Sequence, residues 1–162
     1  MQTQISAGRV FDFSHVVGRS GVSGMGFTHP VAMSTHKNGA VYVANRGWEM
    51  VSNVGWNRTG RGTRISKVVL GSASGEEELI CEFSTYGDDP GKVIWPAGVA
   101  TDRQDNVYVT DEWLNRVSVF DADGDFLHCW GTSGNGEGEF DGPSGIVIDQ
   151  NDDLFIVDSR NH

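Results

Sequence analysis

The residues with the clearest binding chemistry crowd between positions 46 and 64. Arg46, Trp48, Trp56, Arg58, Arg61 and Arg64 fall there within one polar, glycine-bearing stretch. Trp and Arg dominate the energetic centres of binding surfaces, and the planar guanidinium fork matches carboxylate and phosphate groups. The stretch is the candidate ligand-binding segment, unless both Trp pack beneath it and the Arg pair with acids. Asp111 and Asp158 form a second set, each closing an apolar run: Val107-Tyr-Val-Thr-Asp111 and Leu154-Phe-Ile-Val-Asp158. Each could help hold a cation. Each could equally accept backbone N–H bonds of its own loop and pair with the Arg that follows, which for Asp111 is Arg116.

Other chemistries find little support. There is no Gly-x-Ser-x-Gly elbow, phosphate loop or pair of catalytic carboxylates, so no catalytic residue is assigned. His15, His29, His36, His128 and His162 show no His-x-Glu or His-Glu-x-x-His spacing, so no metal ligand is assigned either. Asp121-x-Asp123-Gly-Asp125 starts like a calcium loop. Such a loop needs Gly sixth and Glu twelfth; here Gly124 is fourth and Thr132 twelfth. It reads as a hairpin turn, where Asp-Gly tolerates positive φ. Cys81 and Cys129 are too few for a disulfide framework and read as buried thiols.

Composition narrows the class. The chain has 162 residues, 38% hydrophobic, and no apolar run near the roughly 18 residues of a membrane span. Met1–Ile5 lacks the basic start and apolar core of a signal peptide, so a cytoplasmic location is expected. The formal net charge of −10 argues against non-specific nucleic-acid binding by the whole chain. Charge is unevenly spread, however. Residues 1–75 hold 8 Lys/Arg against 2 Asp/Glu, and residues 76–162 hold 4 against 20. The 46–64 stretch is a local basic site in an acidic chain. Its expected partner is a protein or a small anionic ligand. RNA fits the local charge but not the overall one.

The elements that must position these residues repeat along the chain. Pro30, Pro96 and Pro143 anchor three units. Six residues on stand His36, Asp102 and Asp149. Then come Val41-Tyr-Val43, Val107-Tyr-Val109 and Leu154-Phe-Ile156, followed by Asn45, Asp111 and Asp158. Upstream, Gly18…Phe27-Thr-His-Pro30 lies over Gly131…Phe140-Asp-Gly-Pro143 without a gap. Each unit reads as four short strands: one opened by the Pro, one at Val-Tyr-Val, one at Arg116–Phe120 and one at Phe126–Trp130. The apolar runs are nearly continuous, which suits sheets covered on both faces. A four-stranded repeat of 40–50 residues is a β-propeller blade. The expected fold is all-β, a partial propeller of antiparallel four-stranded blades, about three of six. The units run over about 30–95, 96–142 and 143–162, with 9–29 as closing strands of a preceding blade and Arg9–Phe13 as a third strand. The first unit carries 14 extra residues between its second and third strands, within 46–64.

The wording Pro143-Ser-Gly-Ile-Val-Ile-Asp149 … Val-Asp158-Ser-Arg-Asn-His162, with Val-Tyr-Val-Thr-Asp111-Glu-Trp-Leu-Asn-Arg116, resembles the NHL repeat. The resemblance covers residues about 9–162 and implies a six-bladed propeller, so the chain reads as a C-terminally truncated fragment. It is specific for repeat type and not for function, because the family includes protein-binding, RNA-binding, sensor and lyase members. A binding scaffold is the expected function. The alternative is a propeller enzyme, like a peptide-amidating lyase or a lactonase, with a central divalent metal completed by further blades. Amidating lyases, as the family implies, place zinc-binding His just after the repeat Pro; here Val31, Ala97 and Ser144 stand there, and no cofactor is evident. Further expectations are an Asp111–Arg116 ion pair, Leu154, Phe155 and Ile156 exposed, and the 46–64 loop projecting beside Gly18–His29 and Gly131–Gly142.

Overall fold

A computed structural model describes residues 3–51 and 56–161; the side chains of residues 11, 48–51 and 56–59 lie outside that description. Strands β1 (Thr3–Ser6) and β2 (Arg9–Asp12) form a hairpin through Ala7 and Gly8, both at positive φ. The segment read as a third strand from Arg9 is thus the return arm of a hairpin that begins at Thr3. Two-residue strands β3 (Arg19–Ser20) and β4 (Gly26–Phe27) pair in parallel.

The first blade holds β5 (Pro30–Thr35) and β6 (Ala40–Asn45). Next comes an inserted antiparallel pair, β7 (Trp48–Val51) and β8 (Trp56–Arg61), and then β9 (Arg64–Val69) and β10 (Glu78–Phe83). Its sheet order is β10-β9-β6-β5. The second blade runs β11 (Pro96–Thr101), β12 (Val107–Asp111), β13 (Arg116–Phe120) and β14 (Phe126–Trp130), paired in that order. A second short parallel pair, β15 (Thr132–Ser133) with β16 (Glu139–Phe140), repeats β3–β4. Finally β17 (Pro143–Ile148) pairs with β18 (Leu154–Asp158). Among the described residues there is no helix.

Each sheet opens at an anchor proline. Proline lacks an N–H and is tolerated at a strand's first residue or a bulge. Both conditions hold: register shifts follow Pro30, Pro96 and Pro143. The first strands β5, β11 and β17 are neighbours from blade to blade, so the later strands fan outward. Chain direction then sorts the connections. Those between second and third strands share one face with those entering each Pro. The tight turns at 36–39, 102–106, 121–125 and 149–153 share the other.

The core lies between blades. Ala40, Tyr42, Ala44, Ile65 and Phe83 of the first blade meet Val99, Val107, Val109 and Phe120 of the second, with Val93 of the connecting loop. The rings of Phe83 and Phe120 sit 5.1 Å apart. The second blade's other face, with Val117 and Val119, packs on Ile146, Ile148, Leu154 and Ile156. Because both faces are covered, β6 is buried at every position, which explains its unbroken apolar run. In β18 the pattern alternates instead. Phe155 and Val157 are 57% and 59% exposed, while Leu154 and Ile156 turn inward. The expected exposure therefore holds for Phe155 alone of the three, because alternate side chains of one strand point to opposite faces.

The turns match their sequence. Asp121 Oδ1 accepts the N–H groups of Asp123 and Asp125, and Gly124 takes φ +91°, closing a hairpin turn. Asp102 Oδ1 accepts the N–H groups of Gln104 and Asn106, and Asp149 repeats this with Asn151 and Asp153. His36, at the equivalent position, instead places Nε2 2.6 Å from Asp105 in the neighbouring blade's turn. Asp102 also accepts the Tyr108 hydroxyl at 3.0 Å. Burial, helped by that bond and the Asp102 charge, pushes the Tyr108 phenol up to about 12. The ordinary value is about 10. The folded state therefore favours the neutral phenol, and that contribution is whole below pH 10 and lost as pH rises through 12. Melting temperature should fall over that window, and Tyr108→Phe should make the fall shallower. An unchanged slope in the variant would show that Tyr108 is not responsible.

Candidate ligand-binding face

The face that carries the insertion is built by one repeated device. Asn45 Oδ1 accepts the N–H of Thr28, Asp111 Oδ2 that of Ile94, and Asp158 Oδ1 that of Asp141, each 17 residues upstream. The next residue's N–H then returns to the incoming loop: Arg46 to the His29 carbonyl and Glu112 to that of Trp95. The end of each second strand is thus tied to the loop entering its own blade.

This settles the place of several candidate residues. Asp111 is fully buried and accepts N–H bonds from Ile94, Trp95, Trp113 and Leu114 at 2.6–3.2 Å. It makes no ion pair with Arg116, although the two are register partners. Four amide donors already saturate the carboxylate. Arg116 points into the incoming loop and donates to the carbonyls of Asp88, Asp89 and Lys92. Asn115 accepts the N–H of Gly142. Asp158 is likewise engaged, by the Asp141 N–H and the Asn161 amide. Neither Asp stands open at a channel mouth, contrary to the cation reading.

Arg64 is the first blade's counterpart of Arg116 and does the same work. It is 5% exposed and donates to the carbonyls of Gly26 and Gly62. Its Nε lies 2.5 Å from Glu82. Contrary to the ligand-binding expectation, its guanidinium is spent on clamping a loop. Arg46 pairs with Glu112 at 3.0 Å, across to the second blade, and lies over the Trp95 ring.

The 46–64 segment is a β-hairpin, β7–β8, rather than an irregular loop. Its base is held by Thr63 Oγ1 to the Arg46 carbonyl and by the Gly47 N–H to the Thr28 carbonyl. Gly60, at φ +55°, lies flat on the Tyr86 ring, where a Cβ would sit 1.9 Å from a ring carbon. These contacts put the hairpin on the face shared with the incoming loops, as expected. Arg61 is exposed. The side chains of Trp48, Trp56 and Arg58 lie outside the described residues; in backbone register, Trp48 faces Arg61 and Glu49 faces Arg58.

Two hollows flank the hairpin base. One, of about 560 Å³, is lined by Gly60, Gly62, Arg64, Glu82 and Tyr86 among others. The other, of about 270 Å³, is lined by His29, Arg46, Gly47 and Trp95. The sequence reading gave no role to Trp95, Glu112 or Trp113, which meet here only because neighbouring loops converge. His29 is a loop residue at φ +46°, with Nδ1 2.9 Å from the Gly47 carbonyl. Among the described residues, no three His, Cys, Asp or Glu side chains are grouped to hold a metal ion. Cys81 and Cys129 are half-buried and unbonded to each other, and burial raises the Cys81 thiol. Among the described residues, no helix is long and apolar enough to cross a membrane.

Residues 99–162 match a family described as a 6-bladed β-propeller. No curated protein matches the sequence. Solved structures do. Hydrazine synthase from Kuenenia stuttgartiensis is 14% identical, with 82% of this chain and 33% of that one covered at a TM-score of 0.53. A gluconolactonase from Xanthomonas campestris is 20% identical, with 82% and 36% covered and a TM-score of 0.53. Virginiamycin B lyase from Staphylococcus aureus is 16% identical, with 80% and 34% covered and a TM-score of 0.50. These likenesses are of fold, and the chain spans about a third of the length of each structure. It is a partial β-propeller.

Proposed function

We propose that the chain is an NHL-type propeller segment that captures an anionic ligand or an acidic protein segment on its insertion face, through Arg58 and Arg61 of the β7–β8 hairpin. One observation carries the reading. Of the four arginines in 46–64, Arg46 and Arg64 are neutralised by Glu112 and Glu82, whereas Arg61 is exposed on a hairpin that the second blade lacks at the same point. The acidic surplus lies in the second half of the sequence, so the hairpin is a local positive site. Charge-assisted hydrogen bonds from guanidinium to carboxylate are roughly twice as strong as neutral ones.

A fluorescent oligoglutamate peptide is a suitable probe. It should bind at low ionic strength and weaken with salt, since exposed charges are screened. Arg58→Ala with Arg61→Ala should weaken binding by about fivefold or more, equivalent to about 1 kcal/mol. The melting temperature should stay within about two degrees, because exposed substitutions seldom change stability by more than about 0.5 kcal/mol. Normal binding by the double variant would place the site elsewhere.

A further inference from the structure

The 560 Å³ hollow at the hairpin base is lined by two polar side chains whose bonding capacity the fold leaves unused. It lies beside β10, the outermost strand of the first blade, and is bounded by Gly60 and Gly62 of the hairpin and by Glu82, Ser84 and Tyr86. Ser84 departs from its repeat. It stands twelve residues before Pro96, where the sister units carry Gly18 and Gly131 before Pro30 and Pro143. Those glycines take φ +82° and +100°, and a Cβ on either would strike the ring of Phe27 or Phe140. Val93 replaces the phenylalanine in this unit and leaves room for a side chain. Ser84 keeps the left-handed backbone, at φ +60°, which favours glycine. Its Oγ is buried and meets no hydrogen-bond partner among the described residues. A strained residue with an unpartnered buried hydroxyl calls for a reason outside the fold. Glu82 offers the second group. Its Oε1 accepts from Arg64 Nε at 2.5 Å, and its Oε2 takes no partner among the described residues.

These groups restrict what could settle there. The Glu82 carboxylate only accepts, and the Ser84 hydroxyl has a proton to give. The complement is a donor and an acceptor side by side on one head group. An anion would bring oxygen against Glu82. A cation would meet a carboxylate whose charge Arg64 already cancels. The volume falls within the roughly 300–1,000 Å³ of small-molecule sites, and Val22 and the Tyr86 ring give apolar lining for the rest of the ligand. We propose that the hollow binds a small neutral carboxamide, its NH2 donating to Glu82 and its carbonyl accepting from Ser84. The inference is independent of the anionic reading and shares no side chain with it.

The test is titration of the protein with benzamide, benzoate and benzamidine, three probes of one shape and different charge, followed by saturation-transfer NMR. Benzamide should bind with an affinity on the order of millimolar and more tightly than either ion. Ser84→Gly should weaken it by about fivefold, the scale of one lost hydrogen bond. Its melting temperature should not fall, because the sister positions already carry glycine, so the loss would not reflect unfolding. Glu82→Gln should shift the preference toward benzoate, since the Arg64 charge is then uncancelled. Arg103→Ala, on the opposite face, should change nothing. Three results would overturn the assignment: benzamide does not bind, benzoate or benzamidine binds about tenfold tighter than benzamide, or Ser84→Gly binds benzamide normally. Oligoglutamate binding is read separately through Arg58 and Arg61, so either reading can fail while the other stands.

Discussion

Asp111→Ala should lower the stability of the protein by about 3 kcal/mol or more, read as a fall in the urea midpoint. The carboxylate is fully buried and receives four backbone N–H groups. Each buried donor left without a partner costs about 1–3 kcal/mol. Asp111→Asn is the sharper variant. Oδ1 accepts from Trp113 and Leu114, and Oδ2 from Ile94 and Trp95. Whichever way an amide turned, its NH2 would face two amide donors, at an expected cost of about 2 kcal/mol. The first blade has the reverse arrangement. Asn45 Nδ2 donates to the carbonyls of Val43 and Arg64 and to Ser66 Oγ, so Asn45→Asp would set an oxygen against two carbonyl oxygens. Each blade thus fixes which of the two side chains it needs. A change below about 0.5 kcal/mol in Asp111→Asn would refute the account, since that is the scale of an inconsequential surface substitution.

Gly98→Ala should cost about 3 kcal/mol, and Gly98→Val more. A Cβ there would lie 2.5 Å from the Ser144 carbonyl oxygen, 2.8 Å from Thr110 Oγ1 and 3.0 Å from Ile146 Cγ2. The nearest obstacle is backbone of the neighbouring blade, so relief requires β17 to move off β11. That would also strain the bond from Thr110 Oγ1 to the same carbonyl. Overpacking of this kind costs about 1–3 kcal/mol and occasionally more. Gly145 is the matched control: it holds the same repeat position, but a Cβ would meet only Val157 at 3.7 Å. Gly145→Ala should therefore be tolerated, and the first blade already carries Ala32 at this position. Equal melting temperatures for the two alanine variants would show that the blades are not closed on Gly98.

The architecture was legible because a repeat writes the same geometry several times. Spacing from Pro30, Pro96 and Pro143 located each sheet's opening strand, and unbroken apolar runs such as Ala40–Asn45 announced two covered faces. The face on which 46–64 stands followed from strand direction alone. Side-chain destinations were less legible. Asp111 and Arg116 sit at matching ends of paired strands, which suggests an ion pair, yet each finds better partners in backbone of an incoming loop. Arg64 looks like its neighbours in sequence, and only its buried contacts with Gly26 and Glu82 separate it from Arg61. Trp95 and Trp113 lie 18 positions apart on separate loops, so no local pattern could join them.

The bond reaching 17 residues upstream also decides which way a connection belongs. The segments before Pro30, Pro96 and Pro143 are each fastened to the blade they enter by the same latch, from Asn45, Asp111 and Asp158, whereas the hold on the blade they leave differs, as where Asn115 accepts the N–H of Gly142. The unit that keeps each latch whole is therefore out of phase with the visible sheet: it starts upstream of the proline, near the glycines at 18, 87 and 131. A duplication cut at the proline would strand an acceptor from its donor. One cut at the glycines would carry its own latch, and a hairpin such as β7–β8 can enter a single copy without disturbing that bond.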